Sequence, residues 1–144
     1  MAYGDGDASF RAAGGESGLR RLVDDFYDIM DADPAAATIR AMHPDALEVS
    51  RDKLARFLCG WLGGPHRYNE KYGRITIPGA HSHLDIGASE RDAWLACMRD
   101  AIARQPWPDD FKDYLLRALA VPAERVRLVC ARIRELEDAP APPS

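Results

Sequence analysis

The sequence is poor in lysine and has no long apolar run. Only three of its 19 basic residues are lysines, and the net charge is −4 with a pI near 5.5. The chain therefore lacks the excess of basic residues that is typical of nucleic-acid-binding proteins. No stretch of 18 apolar residues is present, and the N-terminus has no charged region followed by an apolar one. We therefore expect neither a membrane span nor a secretory signal.

Cysteine is also scarce, and its spacing does not suggest a disulfide framework. Cys59, Cys97 and Cys130 are far apart, and each falls within an apolar helical pattern. This is typical of buried free thiols in a reducing compartment. The expected location of the protein is the cytoplasm.

Apolar residues recur with the helical period over most of the 144 residues, a length that suits one domain. We predict helices at five places: after an N-cap at Ser17, from Pro34 through Ile39, over Ser50 to Leu62, after an N-cap at Ser89, and from Trp107-Pro108 onward with a kink or split at Pro122. The expected fold is all-α. The predicted domain covers residues 14–137, with an N-terminal extension at 1–13 and a disordered tail at 138–144.

Residues 63–87 break this helical pattern. They contain five glycines, two prolines and three of the four histidines, and so long a loop is uncommon in a small domain unless it has a function. Two of its histidines, His81 and His83, stand two positions apart. The residues alone leave three interpretations open: both histidines bind a metal, only one of them does, or both are solvated side chains. A flat apolar cofactor with an axial histidine would supply the missing core.

Several motifs follow one another in an order that is characteristic of a known family. They are Gly14-Gly15 before the first long helix, the pair Phe26-Tyr27, HPD (His43 to Asp45), RFLCGWLGGP (Arg56 to Pro65), YNEKYG (Tyr68 to Gly73) and HSHLDIGASERDAWLACM (His81 to Met98). With these motifs, from about residue 13 to 134, the chain resembles the bacterial group II truncated haemoglobins. The resemblance implies a truncated globin fold, a two-over-two helical sandwich around haem b. The absence of C-x-x-C-H excludes covalent haem attachment.

The resemblance implies a role for one of the two neighbouring histidines. In the family the iron-binding histidine lies thirteen residues before the tryptophan of the DAWL motif, which is Trp94 here. That register makes His81 the expected iron ligand. His83 falls where relatives usually carry a proline, and we expect it at the rim of the site.

The resemblance also implies a polar pocket on the opposite face of the haem. Its expected members are Tyr27, His43, Ser50 and Trp94, with Ser50 at the position of the distal histidine of ordinary globins. The remaining expected haem contacts are Leu54, Phe57, Lys53, Tyr68 and Arg74. Relatives carry an arginine beside the ligand histidine that GRITIPGAH lacks. Lys53, Tyr68, Arg74 and also His66 are therefore the candidates for holding the haem propionates.

Such a pocket predicts reversible binding of O2 and other small ligands. Fixed O–H and N–H donors stabilise a ligand that gains negative charge, and two donors would make O2 release slow. This favours NO oxidation, peroxide use or sensing over simple oxygen transport, with an electron-donating reductase as the unknown partner of any turnover. Monomer and homodimer both stay open.

Two alternatives differ in class. The first is a haem-based gas or redox sensor, or an interaction protein, that has the same pocket and no turnover. The second is a haem-free helical module with a metal site formed by His66, His81 and His83.

Overall fold

Helices form nearly all of the chain that can be described. The computed structural model describes residues 2–73 and 84–138. Its elements are α1 (Ala8–Ala12), α2 (Gly15–Ala32), a 3₁₀ turn (Pro34–Ala36), α3 (Ala37–Ala41), α4 (Glu48–Trp61), α5 (Arg67–Tyr72), α6 (Ala88–Ala103) and α7 (Asp109–Asp138). These ranges contain no β-strand, which agrees with the all-α prediction.

The first long helix, α2, buries the predicted apolar stripe. The buried side chains of this stripe are Leu19, Leu22, Val23, Phe26 and Met30. The predicted N-cap at Ser17 is wrong, because the helix begins at Gly15 and is preceded by Gly14 with a φ of +85°. A glycine adopts that left-handed conformation without steric cost, so the chain enters the helix three residues earlier than a cap at Ser17 would place it.

The end of α2 and the course of α4 follow the prediction closely. The side chain of Asp33 accepts a hydrogen bond from the backbone N–H of Ala35 at 2.9 Å, which stabilises the turn that Pro34 opens. Helix α4 begins two residues before Ser50. It stops before Gly63, whose φ is +92°, and the sharp turn there is what glycine permits.

The segment 63–87 is less irregular than predicted, because it contains α5. None of the residues of this short helix is buried, so no apolar stripe marks it in the sequence. It packs mainly against α4, and Arg67 also pairs with Glu16 of α2 at 3.4 Å. Residues 74–83 lie outside the described ranges, and so do residues 139–144 of the predicted tail.

The last two helices depart from prediction at two points. Helix α6 begins at Ala88 with Gly87 as its N-cap, so the cap predicted at Ser89 is wrong. Helix α7 continues through Pro122 and is not split there. Leu119 and Val126, one turn on either side of that proline, are both buried, and their packing offsets the loss of one helical hydrogen bond.

Packing of the four long helices creates the core. Helix α2 contacts α4 and α6, and α6 also contacts α7. The largest fully buried side chains come from all four helices: Phe26, Phe111, Leu19, Leu22, Met30, Leu58, Met98 and Leu115. Cys59, Cys97 and Cys130 are all buried, and Cys59 and Cys97 are free thiols, as predicted for these two. No helix within residues 2–73 and 84–138 is both long and apolar enough to cross a membrane.

Residues 2–13, set apart above as an extension, are packed onto this core. The backbone N–H of Phe10 donates to Leu62 O at 3.2 Å, and the indole N–H of Trp107 donates to Ala13 O at 3.1 Å. A Cβ on Gly64 would come within 2.5 Å of the Phe10 ring. The start of the chain therefore fixes the point at which α4 ends.

Candidate functional site

A cavity of about 350 Å³ lies among α2, α4, α6 and α7. Its lining includes eight of the residues that the sequence singled out: Tyr27, His43, Ser50, Lys53, Leu54, Phe57, Tyr68 and Trp94. These side chains come from α2, the turn after α3, α4, α5 and α6. The fold thus brings together residues that are up to 67 positions apart, Tyr27 and Trp94 being the outermost pair.

Tyr27 supplies a hydroxyl to this cavity from an almost fully buried ring. The ring is 5% exposed and packs edge-on against Phe26, with ring centroids 5.0 Å apart. Burial raises the pKa of Tyr27 to about 12, although the charge of Arg51 acts in the opposite direction. The phenol therefore keeps its proton at physiological pH and is available as an O–H donor.

Trp94 supplies the second donor. Its ring lies edge-on against Phe26, with centroids 5.2 Å apart, so the same phenylalanine packs against both cavity donors. An indole N–H can donate a hydrogen bond and cannot accept one. Tyr27 and Trp94 therefore bring an O–H and an N–H donor to the lining of the same cavity.

His43 faces the cavity beside Tyr27. The two ring centroids are 5.6 Å apart at an interplanar angle of 78°. Nδ1 of His43 lies 2.8 Å from the carbonyl oxygen of Ile39. Because a carbonyl only accepts, Nδ1 carries a proton, and this hydrogen bond orients the ring.

The rest of the lining is mainly apolar, and it also includes a few charged side chains. The large apolar side chains of the wall are Ile39, Met42, Leu54, Phe57, Leu58, Trp61, Leu84, Ile86, Leu119 and Val126. Lys53 is exposed, and its ammonium nitrogen lies 5.3 Å from the centroid of the Tyr72 ring. Arg91 also lines the cavity and donates to Glu124 on α7 at 2.9 Å, so a cation is held where α6 meets α7.

Three of the predicted site residues lie outside the described residues. These are Arg74, His81 and His83. His66 precedes α5 and is exposed, and it does not line the cavity. The part of the chain that the structure describes holds no group of three potential metal ligands.

Sequence reasoning missed several wall residues. Leu84, Ile86, Arg91, Pro122 and Ala123 line the cavity and were not singled out as site residues. For α7 a signal was present in the sequence, since Leu119 and Val126 are seven positions apart, the spacing of apolar residues on one face of a helix. Arg91 carried no such signal, because its place depends on how α6 meets α7.

Residues 8–127 match the family described as bacterial-like globins, and the chain belongs to that family. Its fold is that of the truncated two-on-two globins. Over 112 residues it is 30% identical to the group 2 truncated hemoglobin YjbI of Bacillus subtilis, covering 78% of this chain and 83% of the relative.

Two solved structures show the same likeness in three dimensions. The group II 2-on-2 hemoglobin of Agrobacterium tumefaciens is 32% identical with a TM-score of 0.79, over 88% of this chain and 95% of that one. The truncated oxygen-avid haemoglobin of Bacillus subtilis is 30% identical with a TM-score of 0.75, over 83% of this chain and 98% of that one.

Membership of the globin family implies haem binding, and the cavity has the chemistry to hold such a group. Its walls are apolar, as a macrocycle requires. Tyr27 and Trp94 place an O–H and an N–H donor on its lining, and the exposed Lys53 offers a cation at its solvent side for a propionate. The residues present therefore fit the cofactor.

Proposed function

We propose that this protein binds haem b non-covalently through His81 and reversibly binds O2 and other small ligands in the cavity. The observation that carries the proposal is the pair of donors, the Tyr27 hydroxyl and the Trp94 N–H. Both residues line one cavity whose walls are mainly apolar. A phenol O–H and an indole N–H on the lining of such a cavity suit a small ligand that accepts hydrogen bonds.

When bound, haem supplies an iron that coordinates diatomic gases. The chain's contribution is to fix donors where a ligand gains negative charge, in a cavity whose walls are mainly apolar. A hydrogen bond to a charged partner contributes about 1.5–3 kcal/mol, which is about 10- to 150-fold in an equilibrium constant. Tyr27 retains its proton because burial raises its pKa to about 12, and Trp94 has no acidic proton to lose in this range.

Two such donors favour slow release of O2. The Bacillus subtilis relative is described as oxygen-avid, which supports the same behaviour here. Slow release suits scavenging or sensing better than transport. We extend the proposal to consumption of NO or peroxide with a reductase as electron donor. Repeated turnover of either substrate under a supplied reductant would support this activity, whereas a single turnover would favour a sensor.

The assignment of His81 is tested by the visible spectrum of purified protein reconstituted with haem. His81→Ala should lose the Soret band of the bound cofactor, and added imidazole should restore it by replacing the missing ligand. His83→Ala is the matched control, because it removes the neighbouring histidine, and it should keep the band. His66→Ala should also keep it.

The opposite result, loss of the band in His83→Ala with retention in His81→Ala, would contradict the assignment. A wild-type protein that shows no Soret band with haem would overturn the proposed function as a whole.

A further inference from the structure

Arg51 joins α4 to α2 through three acceptors. Its Nη1 donates to the backbone oxygen of Asp24 at 3.0 Å and to Asp24 Oδ1 at 3.2 Å. Its Nη2 donates to Asp28 Oδ1 at 2.8 Å. Arg51 is the fourth residue of α4, so these bonds hold the first turn of that helix against the middle of α2.

Tyr27 lies between the two aspartates along α2. The guanidinium carbon of Arg51 is 5.8 Å from the centroid of the Tyr27 ring, within the range of a cation–π contact. Asp24 precedes Tyr27 by three residues and Asp28 follows it. The same guanidinium group therefore holds the helix on both sides of the tyrosine and contacts the ring itself.

Ser50, the residue before Arg51, lines the cavity. If the first turn of α4 moved away from α2, the wall at Ser50 would move relative to the Tyr27 hydroxyl. The Arg51 bonds oppose that movement.

We propose that Arg51 is a positioning residue, which holds α4 and the Tyr27 ring so that the Tyr27 hydroxyl is fixed in the cavity. This inference rests on the proposed function, in which Tyr27 donates to the bound ligand. Arg51 itself does not line the cavity. It acts on the ligand only through the tyrosine and the neighbouring helical turn.

The charges involved are accessible to salt. The side chain of Arg51 is 27% exposed, and those of Asp24 and Asp28 are each 61% exposed. Ions screen such pairs effectively at high concentration. His43, from the turn after α3, and Phe26 also face the Tyr27 ring. Nδ1 of His43 lies 2.8 Å from the backbone carbonyl oxygen of Ile39.

The test compares Arg51→Met with Arg20→Met in the haem-loaded protein. Arg20 also links α2 to α4, through Asp52 at 3.0 Å, and its partner is not beside Tyr27 in sequence. Arg51→Met should speed O2 dissociation by about threefold to tenfold, the range expected for a residue that acts indirectly. Arg20→Met should leave that rate unchanged. Arg51→Lys keeps the positive charge, so its O2 dissociation rate should lie between those of Arg51→Met and the wild type.

Two further measurements separate positioning from a general loss of stability. In Tyr27→Phe protein, Arg51→Met should have no further effect on O2 dissociation, because the group it positions is gone. Amide hydrogen exchange over residues 48–54, measured without O2, should quicken in Arg51→Met and not in Arg20→Met. The wild-type O2 dissociation rate should rise with sodium chloride, and that of Arg51→Met should not.

Each arm has a contrary outcome. Equal effects of Arg51→Met in the wild-type and Tyr27→Phe backgrounds would overturn the inference, as would unchanged exchange over residues 48–54. If Arg51→Met does not fold, the double variant Asp24→Asn with Asp28→Asn is used in its place. The salt dependence of the wild-type O2 dissociation rate then gives a second, independent measurement. Failure of the proposed function has its own signs. One is that the protein does not bind haem. The other is that Tyr27→Phe dissociates O2 at the wild-type rate, while amide hydrogen exchange over residues 48–54 still differs between Arg51→Met and Arg20→Met.

Discussion

The hydroxyl of Tyr72 donates to Asp52 Oδ2 at a distance of 2.6 Å, and this bond joins the last residue of α5 to α4. The same carboxylate accepts from Lys71 of α5 at 2.9 Å, Arg56 of α4 at 2.9 Å and Arg20 of α2 at 3.0 Å. Asp52 is therefore the point at which three helices meet. Partial burial alone would raise the pKa of Asp52, but the hydrogen bonds from Tyr72, Lys71, Arg56 and Arg20 together hold it below its usual value.

Asp52→Asn should lower the free energy of unfolding by about 1–3 kcal/mol at pH 7, since it removes the acceptor of several charge-assisted bonds. The pKa of Asp52 is lower in the folded than in the unfolded protein. This stabilisation is therefore fully present above the pKa of the unfolded state, about 3.9, and is lost as the pH falls toward the lower pKa of the folded state. The difference between variant and wild type in urea unfolding should therefore shrink below about pH 4.

Asp113→Asn is the control for this pH series. Asp113 pairs with Arg117 at 3.5 Å, and both side chains are about three-quarters exposed. Exposed pairs contribute little to stability, so we expect a small effect at every pH. A loss in Asp52→Asn that stays constant from pH 7 to about pH 3 would contradict the role of its charge.

Tyr27→Phe and Trp94→Phe should each speed O2 dissociation by about tenfold or more, because each removes one donor to a charged ligand. Tyr27→Phe hardly changes the volume of the side chain, so its effect should be mainly electrostatic. Trp94→Phe also shrinks the ring, which leaves space in the cavity. Because the pair shares one ligand, the effects should not multiply in the double variant. Stopped-flow rates unchanged in both single variants would contradict the donor roles.

Gly18→Ala should destabilise the fold strongly. A Cβ at Gly18 would lie 1.7 Å from the carbonyl oxygen of Ala13, and backbone must move to relieve so close a contact. Overpacking costs about 1–3 kcal/mol in most cores and occasionally more. Gly87→Ala is the control, because its Cβ would lie 3.4 Å from a carboxylate oxygen of the Glu90 side chain. Thermal unfolding that is equal in the two variants would contradict the expectation.

The elements predicted best from sequence are those whose burial is periodic. The stripe of α2 from Leu19 to Met30 marked both the helix and its buried face, because a helix against a core must repeat its apolar residues. The ends of helices were harder to predict. Ser17 and Ser89 have the side chains of good caps, yet glycines at 14 and 87 take that place. Gly14 has a φ of +85°, a conformation that glycine adopts more easily than serine.

Helix α5 and part of the site were less predictable for a different reason. The bonds from Lys71 and Tyr72 to Asp52 join residues 19 and 20 positions apart, and no local pattern reveals such a partner. Tyr27 and Trp94 were expected in one pocket because the motifs around them resemble a family, and the cavity does bring them together. Arg51 and Arg91 depend on how helices meet in space, so their roles were not foreseen.

The burial of the three cysteines has a consequence for a protein proposed to handle oxygen and its reactive products. Cys59, Cys97 and Cys130 are each at most 2% exposed, and burial raises the pKa of the Cys59 and Cys97 thiols. Thiolates, and not thiols, react with peroxide and disulfides. The folded chain therefore presents no nucleophilic sulfur at these positions to the oxidants that its cavity would attract, and mixed disulfides with cellular thiols should form only after unfolding.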